Sequence, residues 1–320
     1  MPHLTALLAH LDAALPDAPL VWNGWRVSPV PGGANNRLYH ASHGEQTYAI
    51  KLAIRDERDR AGREYAALQA IESAGADFAP RAVLLDRDCY RQPVVVQTWL
   101  DGDVLAAPPS DPAQWDALVQ HYCAIHSIRP PTHVALQPAT LNVSSSEAGK
   151  ALVREHAERI PHADRRASLE MLLRQVAAWK PPEWTTPPVA LCRVDSNWRN
   201  FIVRPRGEWA SVDWENSGWG DPAFEWADLM THPAYPADAP WPRLIEQYAA
   251  RMGDSTAPLR IQTYHTIMLA WWAVRMVRML YEVPRGLDPR LVARPADWQE
   301  RAERQYDDFL ARAKAALVRP

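Results

Sequence analysis

Three side chains that carry oxygen ligands lie within a short stretch of the sequence. Asp195 and Asn200 stand in a D-x-x-x-x-N spacing, and two apolar runs, 201–203 and 209–212, flank a turn that contains proline and glycine. This pattern predicts a hairpin whose return strand brings Asp213 back beside Asn200. A carboxylate and an amide oxygen could then share a Mg²⁺ ion while Asp195 faces a substrate hydroxyl. These are the groups that phosphoryl transfer requires.

A lysine earlier in the chain occupies an informative position. Lys51 is one of only four lysines and lies in a predicted strand, 47–52. The alternation of that strand places Lys51 on the face opposite its large apolar side chains, where a cleft would lie. The next segment, 58–74, has helical spacing and carries Glu64. A lysine that simply extends to water is the alternative interpretation.

Together these motifs resemble those of the aminoglycoside phosphotransferase and choline kinase family, which are small-molecule kinases of the protein-kinase-like superfamily. The family pattern H-x-D-x-x-x-x-N is matched at 193–200, I-D-W/F-E at 212–215, and G-D-P-x-x-D/E-x-A at 220–227. The string GGANNRLY, at 32–39, is similar to the nucleotide loop of the family, and R-E-Y at 63–65 is similar to its R-E-Y helix.

The resemblance implies an enzyme that uses ATP and Mg²⁺ and a small-molecule acceptor with a hydroxyl group. Asp195 would orient the hydroxyl and take its proton, Asn200 and Asp213 would hold the metal, and Lys51 would hold the nucleotide phosphates. The resemblance also implies that Glu64 is the partner of Lys51, with Glu57 as the alternative. In the nucleotide loop the implied binding residues are Gly32, Gly33 and Asn36. At the hinge, the backbone of Thr98 and Leu100 would contact the base.

The implied fold class is α+β, a protein-kinase-like fold of two lobes. We expect a first lobe at 1–97 with a five-stranded antiparallel sheet plus helix, a hinge at 98–102, and a mainly α-helical lobe at 103–320. The strands are predicted at 25–27, 37–41, 47–52, 81–85 and 93–97. Helices of the second lobe are predicted at 111–127, 146–160, 162–179, 223–230, 242–252, 259–282 and 296–317, and an amphipathic helix at 4–15 caps the first lobe.

The composition narrows the class of protein. A chain of 320 residues is long enough for two lobes, and a net charge of −3 with a pI near 6.4 gives no basic field of the kind that nucleic-acid binders carry. Three scattered cysteines without a C-x-x-C spacing indicate a reducing, cytoplasmic location. We therefore expect no nucleic-acid partner and no membrane span. The sequence does not indicate an oligomeric state.

The main departure from the family pattern is Arg193, which stands where the family has histidine. Arginine cannot accept a hydrogen bond or become neutral, so we predict that it pairs with a nearby acid, Asp213 or Glu215. Two further function classes stay open: a catalytically inactive nucleotide-binding protein of the same fold, and a helical interaction protein. Arg199, where family members often carry glycine, is a candidate to supply charge near the transferred phosphoryl group.

The acceptor itself is not specified by the sequence. Aminoglycosides would need a pocket rich in carboxylates, whereas choline- or thiamine-like cations would need an aromatic cage. Candidate carboxylates are Asp221, Glu225, Asp228, Asp238 and Glu246, with a structural role as the alternative for Asp221 and Asp228. Candidate cage residues are Trp214, Trp219, Trp226, Trp271 and Trp272, although a tryptophan-rich core explains them equally well. His126, near a predicted helix end, is interpreted as a structural histidine.

Overall fold

A twisted antiparallel sheet forms the first part of the molecule, as seen in a computed structural model that describes residues 2–31, 35–130, 135–236 and 238–318. The sheet has six strands in the order β1-β2-β3-β4-β6-β5. Its strands are β1 Leu20–Trp22, β2 Trp25–Pro29, β3 Asn36–His43, β4 Gln46–Ala53, β5 Ala82–Asp86 and β6 Val94–Thr98. Helix α1 (Pro2–Ala14) precedes the sheet, and α2 (Arg60–Ser73) connects β4 to β5.

The prediction of five strands was wrong by one strand. The additional strand is β1, which pairs with β2 through a two-residue turn at Asn23 and Gly24. Both turn residues have positive φ, 46° and 83°. Two-residue hairpins favour this conformation because its twist matches that of the strands, and Asn-Gly is its strongest sequence signal. The signal was therefore present in the sequence.

The two faces of the sheet have different roles. Leu7, Leu8 and Leu11 of α1 pack against one face, whose side chains include Ile50 and Leu52 of β4. Lys51 lies on the opposite face, as the alternation predicted. Because one face is sealed by α1, the lysine is directed toward the second part of the molecule.

Helices dominate the second part, and all seven predicted there are present. They are α3 Pro112–His126, α4 Ser146–Glu158, α5 Ala167–Ala178, α6 Pro222–Thr231, α7 Trp241–Met252, α8 Ala257–Glu282 and α9 Trp298–Leu317. Every residue of α6 is buried, and α8 lies beside it in the same apolar core. No helix in the described part of the chain is long and apolar enough to cross a membrane. The hinge limits at 98 and 102 remain predictions.

Short strands form the surroundings of residues 191–221. The predicted hairpin is present as β9 (Phe201–Val203) and β10 (Trp209–Ser211), and β7 (Asp103–Val104) joins the free edge of β9. A second pair is formed by β8 (Ala190–Cys192) and β11 (Gly218–Gly220). The N–H of Val212 donates to the carbonyl of Asn200 at 2.9 Å, so the hairpin holds the residue before Asp213 against Asn200.

Helix α2 connects the two parts. Its residues Leu68 and Ile71 share a buried cluster with Ile125 of α3, Leu191 of β8 and Trp214. The sheet therefore reaches the helical part through an apolar contact as well as through the chain, which fixes the position of Glu64 relative to the hairpin.

The N-terminus of α6 is held by a buried ion pair. Asp221 caps α6 through the N–H of Ala223 at 2.9 Å, and Arg260 of α8 donates to both carboxylate oxygens at 3.0 and 3.1 Å. Both side chains are almost fully buried. The hydroxyl of Tyr264 donates a fourth hydrogen bond to the Asp221 carboxylate, at 3.1 Å.

We expect Arg260→Ala to lower the free energy of unfolding by about 3 to 5 kcal/mol, because it leaves the Asp221 carboxylate buried without its charge partner. The measurement is urea denaturation, with exposed Arg251→Ala as the matched control, which should change stability by less than about 0.5 kcal/mol. The double variant Asp221→Asn, Arg260→Met should recover part of the loss. Equal stability of Arg260→Ala and wild type would contradict this account.

Candidate active site

The predicted lysine lies in a buried network of charges. The Nζ of Lys51 is 2.6 Å from Oε1 of Glu64 and 3.0 Å from Oδ1 of Asp213. Glu64 rather than Glu57 is therefore its helix partner. The Lys51 side chain is 6% exposed whereas that of Asp213 is 26% exposed, so the aspartate keeps an open side. Burial opposes the charge on Lys51, but Asp213 and Glu64 together raise its pKa above the usual value.

Asp195, Asn200 and Asp213 converge, as the hairpin predicted. Burial and the charge of Asp213 raise the pKa of Asp195, whereas the charge of Arg193, the N–H of Asn197 and the side chain of Asn200 act in the opposite direction. The carboxylate of Asp195 accepts from the N–H of Asn197 at 3.0 Å. Two carboxylates and the amide side chain of Asn200 therefore lie in one small region with the ammonium group of Lys51.

The backbone of this region is strained at two positions. Val194 and Asp213 have φ of 54° and 65°. Aspartate tolerates the left-handed region, but a β-branched valine rarely adopts it, and such strain persists only where surrounding contacts impose it. The contact is Glu225 of α6, whose Oε1 accepts from the N–H groups of Arg193 and Val194, each at 2.9 Å.

Glu225 is fully engaged in holding this loop. Its second oxygen lies 2.8 Å from Nε2 of His126, whose Nδ1 lies 2.9 Å from the hydroxyl of Tyr248. His126 is therefore satisfied on both ring nitrogens, as expected of a structural histidine. His126, Cys192 and Glu225 come close enough to suggest a metal centre, but the hydrogen bonds of the histidine and the glutamate already use their ligand atoms.

The predicted pairing of Arg193 with Asp213 or Glu215 was wrong. No ion pair of Arg193 occurs within the described residues; its Nη1 donates to the carbonyl of Val212 at 3.3 Å, and the guanidinium lies 4.8 Å from the centre of the Phe201 ring. Lys51 already occupies Asp213, and Arg60 pairs with Glu215. Arg193 thus supports the residue before Asp213 and leaves the carboxylates free.

Glu215 connects the sheet to the hairpin, a role that the sequence did not reveal. It accepts from Nδ2 of Asn36 at 2.6 Å and of Asn35 at 3.3 Å, and from Arg60 of α2. Burial and the charge of Asp213 raise its pKa to about 7. Its position two residues after Asp213 in the motif was the available signal.

The other predicted nucleotide-binding residues are only partly described. Gly32 and Gly33 lie outside the described residues. At the hinge, the N–H of Thr98 donates to the carbonyl of Arg81 at 3.0 Å, so it is not free to bind a base. Leu100, in contrast, has no backbone hydrogen bond within the described part of the chain.

Five of the ten residues proposed for binding a cationic acceptor are instead buried in structural contacts. Asp221 and Glu225 are engaged as described above, and Asp228 is buried and accepts from the hydroxyl of Ser196 at 2.9 Å. Trp214 and Trp226 are fully buried in the core. The candidates that keep some exposure are Asp238, Glu246, Trp219, Trp271 and Trp272. Arg199 is exposed and lies over the ring of Trp198 at 5.2 Å.

Solved structures with the same fold span nearly the whole chain. Choline kinase LicA from Streptococcus pneumoniae covers 97% of this chain and 99% of its own, with a TM-score of 0.61 and 16% identity. A GDP complex of aminoglycoside 2'-phosphotransferase-IIIa covers 97% and 98%, with a TM-score of 0.63 and 14% identity. Spectinomycin phosphotransferase APH(9)-Ia, in complex with ADP and spectinomycin, covers 98% of each chain, with a TM-score of 0.62 and 13% identity.

These likenesses confirm the predicted α+β kinase-like fold of two lobes, with six strands in the sheet. A search of curated protein sequences found no match. A family model described as "Phosphotransferase enzyme family" matches residues 26–264, which include the lysine strand, the catalytic-loop motif and α6. The chain therefore belongs to the phosphotransferase enzyme family.

Proposed function

We propose that the protein is a small-molecule kinase that transfers the γ-phosphoryl group of ATP, with Mg²⁺, to a hydroxyl group of its acceptor. One observation carries the proposal: Lys51 contacts Asp213 at 3.0 Å, and Asp213 interacts with Asp195. A phosphate-binding cation, a metal-binding carboxylate and a base for the hydroxyl proton thus meet in one cleft. Solved structures of the same fold contain AMP, ADP or GDP, which supports a nucleotide as the donor.

The acids of the cleft fit a divalent metal ion. Glu64 and Glu215 both have a pKa raised to about 7, because burial and the charge of Asp213 oppose further negative charge. Asn200 and Asp213 would hold Mg²⁺, since carboxylate and amide oxygens are ligands that this ion prefers. The bound ion would supply charge stabilisation to the phosphate oxygens.

Asp195 is the residue that we assign to the acceptor. Its carboxylate is held by the N–H of Asn197 at 3.0 Å, so it is oriented before an acceptor arrives. Burial and Asp213 raise its pKa, which improves its ability to take a proton from the hydroxyl as the bond to phosphorus forms. Lys51, held by Glu64, would orient the nucleotide phosphates opposite this carboxylate.

Arg193 does not favour the inactive alternative. It replaces the histidine of the family pattern, but its guanidinium is fully buried against Phe201 and the carbonyl of Val212. It forms no ion pair with Asp195 within the described residues, and its charge favours the ionised form of that carboxylate.

We expect Asp195→Asn to lower kcat by about 10²- to 10⁴-fold with little change in the KM for ATP, because the amide cannot accept the proton. ATP consumption is measured against a panel of aminoglycosides, choline, thiamine, sugars, amino alcohols and acidic alcohols. Asp307→Asn, which changes an exposed carboxylate on α9, is the control and should leave kcat unchanged. Near-full turnover by Asp195→Asn would refute the assignment.

We also expect Lys51→Met to abolish the thermal stabilisation that MgATP gives the wild-type protein, since the phosphates lose their cation. The melting temperature is measured with and without MgATP. Exposed Lys180→Met is the matched control and should retain the full shift. A full MgATP shift in Lys51→Met would show that the nucleotide binds elsewhere.

A further inference from the structure

Four arginines outside the catalytic cleft lie together. Arg275 and Arg278 are on α8, and Arg290 and Arg294 are on the segment 286–297 that connects α8 to α9. Their charges act on one another: Arg278, Arg290 and Arg294 all oppose the charge of Arg275, and Arg294 opposes that of Arg290. Guanidinium groups repel when they are close, so such a group needs compensating negative charge.

The nearby carboxylates do not balance all four positive charges. Glu282 accepts from Nε of Arg278 at 2.5 Å. Asp288 pairs with Arg294 and lies 3.5 Å from Nε of Arg290. Two carboxylates therefore face four guanidinium groups.

Arg275 is the group without a partner. Within the described residues it has no hydrogen bond and no ion pair, although it is partly buried. Burial and the neighbouring arginines lower its pKa to about 10, which still leaves it charged near neutral pH. Glu282 favours the charge of Arg275 but pairs with Arg278, so the Arg275 guanidinium remains available to an anion.

The histidine beside Arg278 adds no charge. Burial and the arginines at 278 and 275 lower the pKa of His156 to about 3, so this histidine is neutral. Its Nδ1 lies 3.3 Å from Nη1 of Arg278, and its ring stacks on Trp271 at 4.9 Å. The half-buried Trp271 thus forms an apolar wall beside the arginines.

The arginine cluster is connected to the proposed phosphoryl-transfer cleft. Arg290 is close enough to Arg60 for their charges to oppose each other, and Arg60 pairs with Glu215, two residues after Asp213. The same segment reaches the sheet, because residues 291–293 and the start of β3 line one cavity of about 310 Å³. The segment that carries Arg290 and Arg294 therefore lies beside Asn36, whose side chain donates to Glu215 at 2.6 Å.

We propose that Arg275, Arg278, Arg290 and Arg294 bind an anionic group of the acceptor, so that the acceptor is an alcohol bearing a carboxylate or a phosphate. This inference rests on the proposed kinase function. Guanidinium groups bind both anions through paired hydrogen bonds. A cationic acceptor, such as an aminoglycoside or choline, would be repelled by the same four charges.

The test measures binding without nucleotide, so it does not depend on catalysis. The probes are glycerol 3-phosphate and glycerate, compared with glycerol and choline, by calorimetry and thermal shift. We expect at least one anion to bind the wild-type protein and neither comparison compound to do so. Which of the two anions binds more tightly identifies a phosphate or a carboxylate as the recognised group. Absence of binding by both anions would overturn the inference.

Arg275→Gln provides the matched variant, with exposed Arg154→Gln on α4 as the charge control. We expect Arg275→Gln to raise the anion Kd about tenfold or more, as for the loss of a charged hydrogen bond, and Arg154→Gln to leave it unchanged. Without anion, Arg275→Gln should melt at the same or a higher temperature, because it relieves repulsion. If Arg275 has only a structural role, Arg275→Gln should lower the melting temperature and leave the anion Kd unchanged. That result would overturn the inference.

Three further outcomes separate this inference from the proposed function. If the anions bind in an Arg275-dependent manner but no alcohol of the acceptor panel is phosphorylated, the proposed function fails and the anion site stands. If neutral or cationic alcohols are phosphorylated and Arg275→Gln has no effect, the kinase stands and the anion site is wrong. Weaker MgATP binding by Arg275→Gln, with unchanged binding of the acidic alcohols, would assign the arginines to the nucleotide and also overturn the inference.

Discussion

The contact between Lys51 and Asp213 is the interaction on which the arrangement of the site depends. It joins β4 of the sheet to the residue that follows β10 over a distance of 3.0 Å. Each partner would be costly to bury alone, and their mutual attraction is what allows an ammonium group and several carboxylates to share a cleft. Glu64 on α2 also pairs with Lys51, so β4, α2 and the residue after β10 are joined at the Lys51 ammonium group. The lobes are therefore positioned by electrostatics as well as by the apolar contacts of α2.

The strained loop at 193–195 depends on a second set of buried contacts. Glu225 holds the N–H of Val194, a valine with a φ of 54°, and α6 is in turn capped by Asp221 and fixed to α8 through Arg260. Residues that match the family motif at 220–227 thus hold the loop at 193–195 through buried hydrogen bonds. Carboxylates used in this way cannot bind an acceptor, which explains why a count of acids near the motif overestimated the negative charge available to a cationic substrate.

Local patterns in the sequence were sufficient for the helices, the hairpin and the cleft face of Lys51, because these follow from alternation, helical spacing and turn residues. The contacts of Arg193 could not be predicted, because they depend on residues that are distant in sequence. Lys51 pairs with Asp213 and Arg60 pairs with Glu215, so both acids already have a partner. Strand β1 was missed although Asn23-Gly24 is a strong hairpin signal, because three-residue strands carry little periodicity. The cluster of arginines could not be predicted for a different reason. Each arginine taken alone has the character of a solvated surface residue, and only the packing of α8 against the segment after it brings the four together.

The two charge imbalances of the molecule have opposite signs, and this difference bears on the substrate. Burial and the charge of Asp213 raise the pKa of Glu64 and Glu215 to about 7, so the proposed metal ion would add positive charge where the buried carboxylates need it. Around Arg275 the guanidinium groups exceed the carboxylates, and Arg290 connects this region to Arg60 at the edge of the first. A molecule with a hydroxyl at one end and an acidic group at the other would satisfy both regions at once. Its acidic group would also hold the hydroxyl near Asp195, so that binding energy from the arginines contributes to positioning the reacting oxygen.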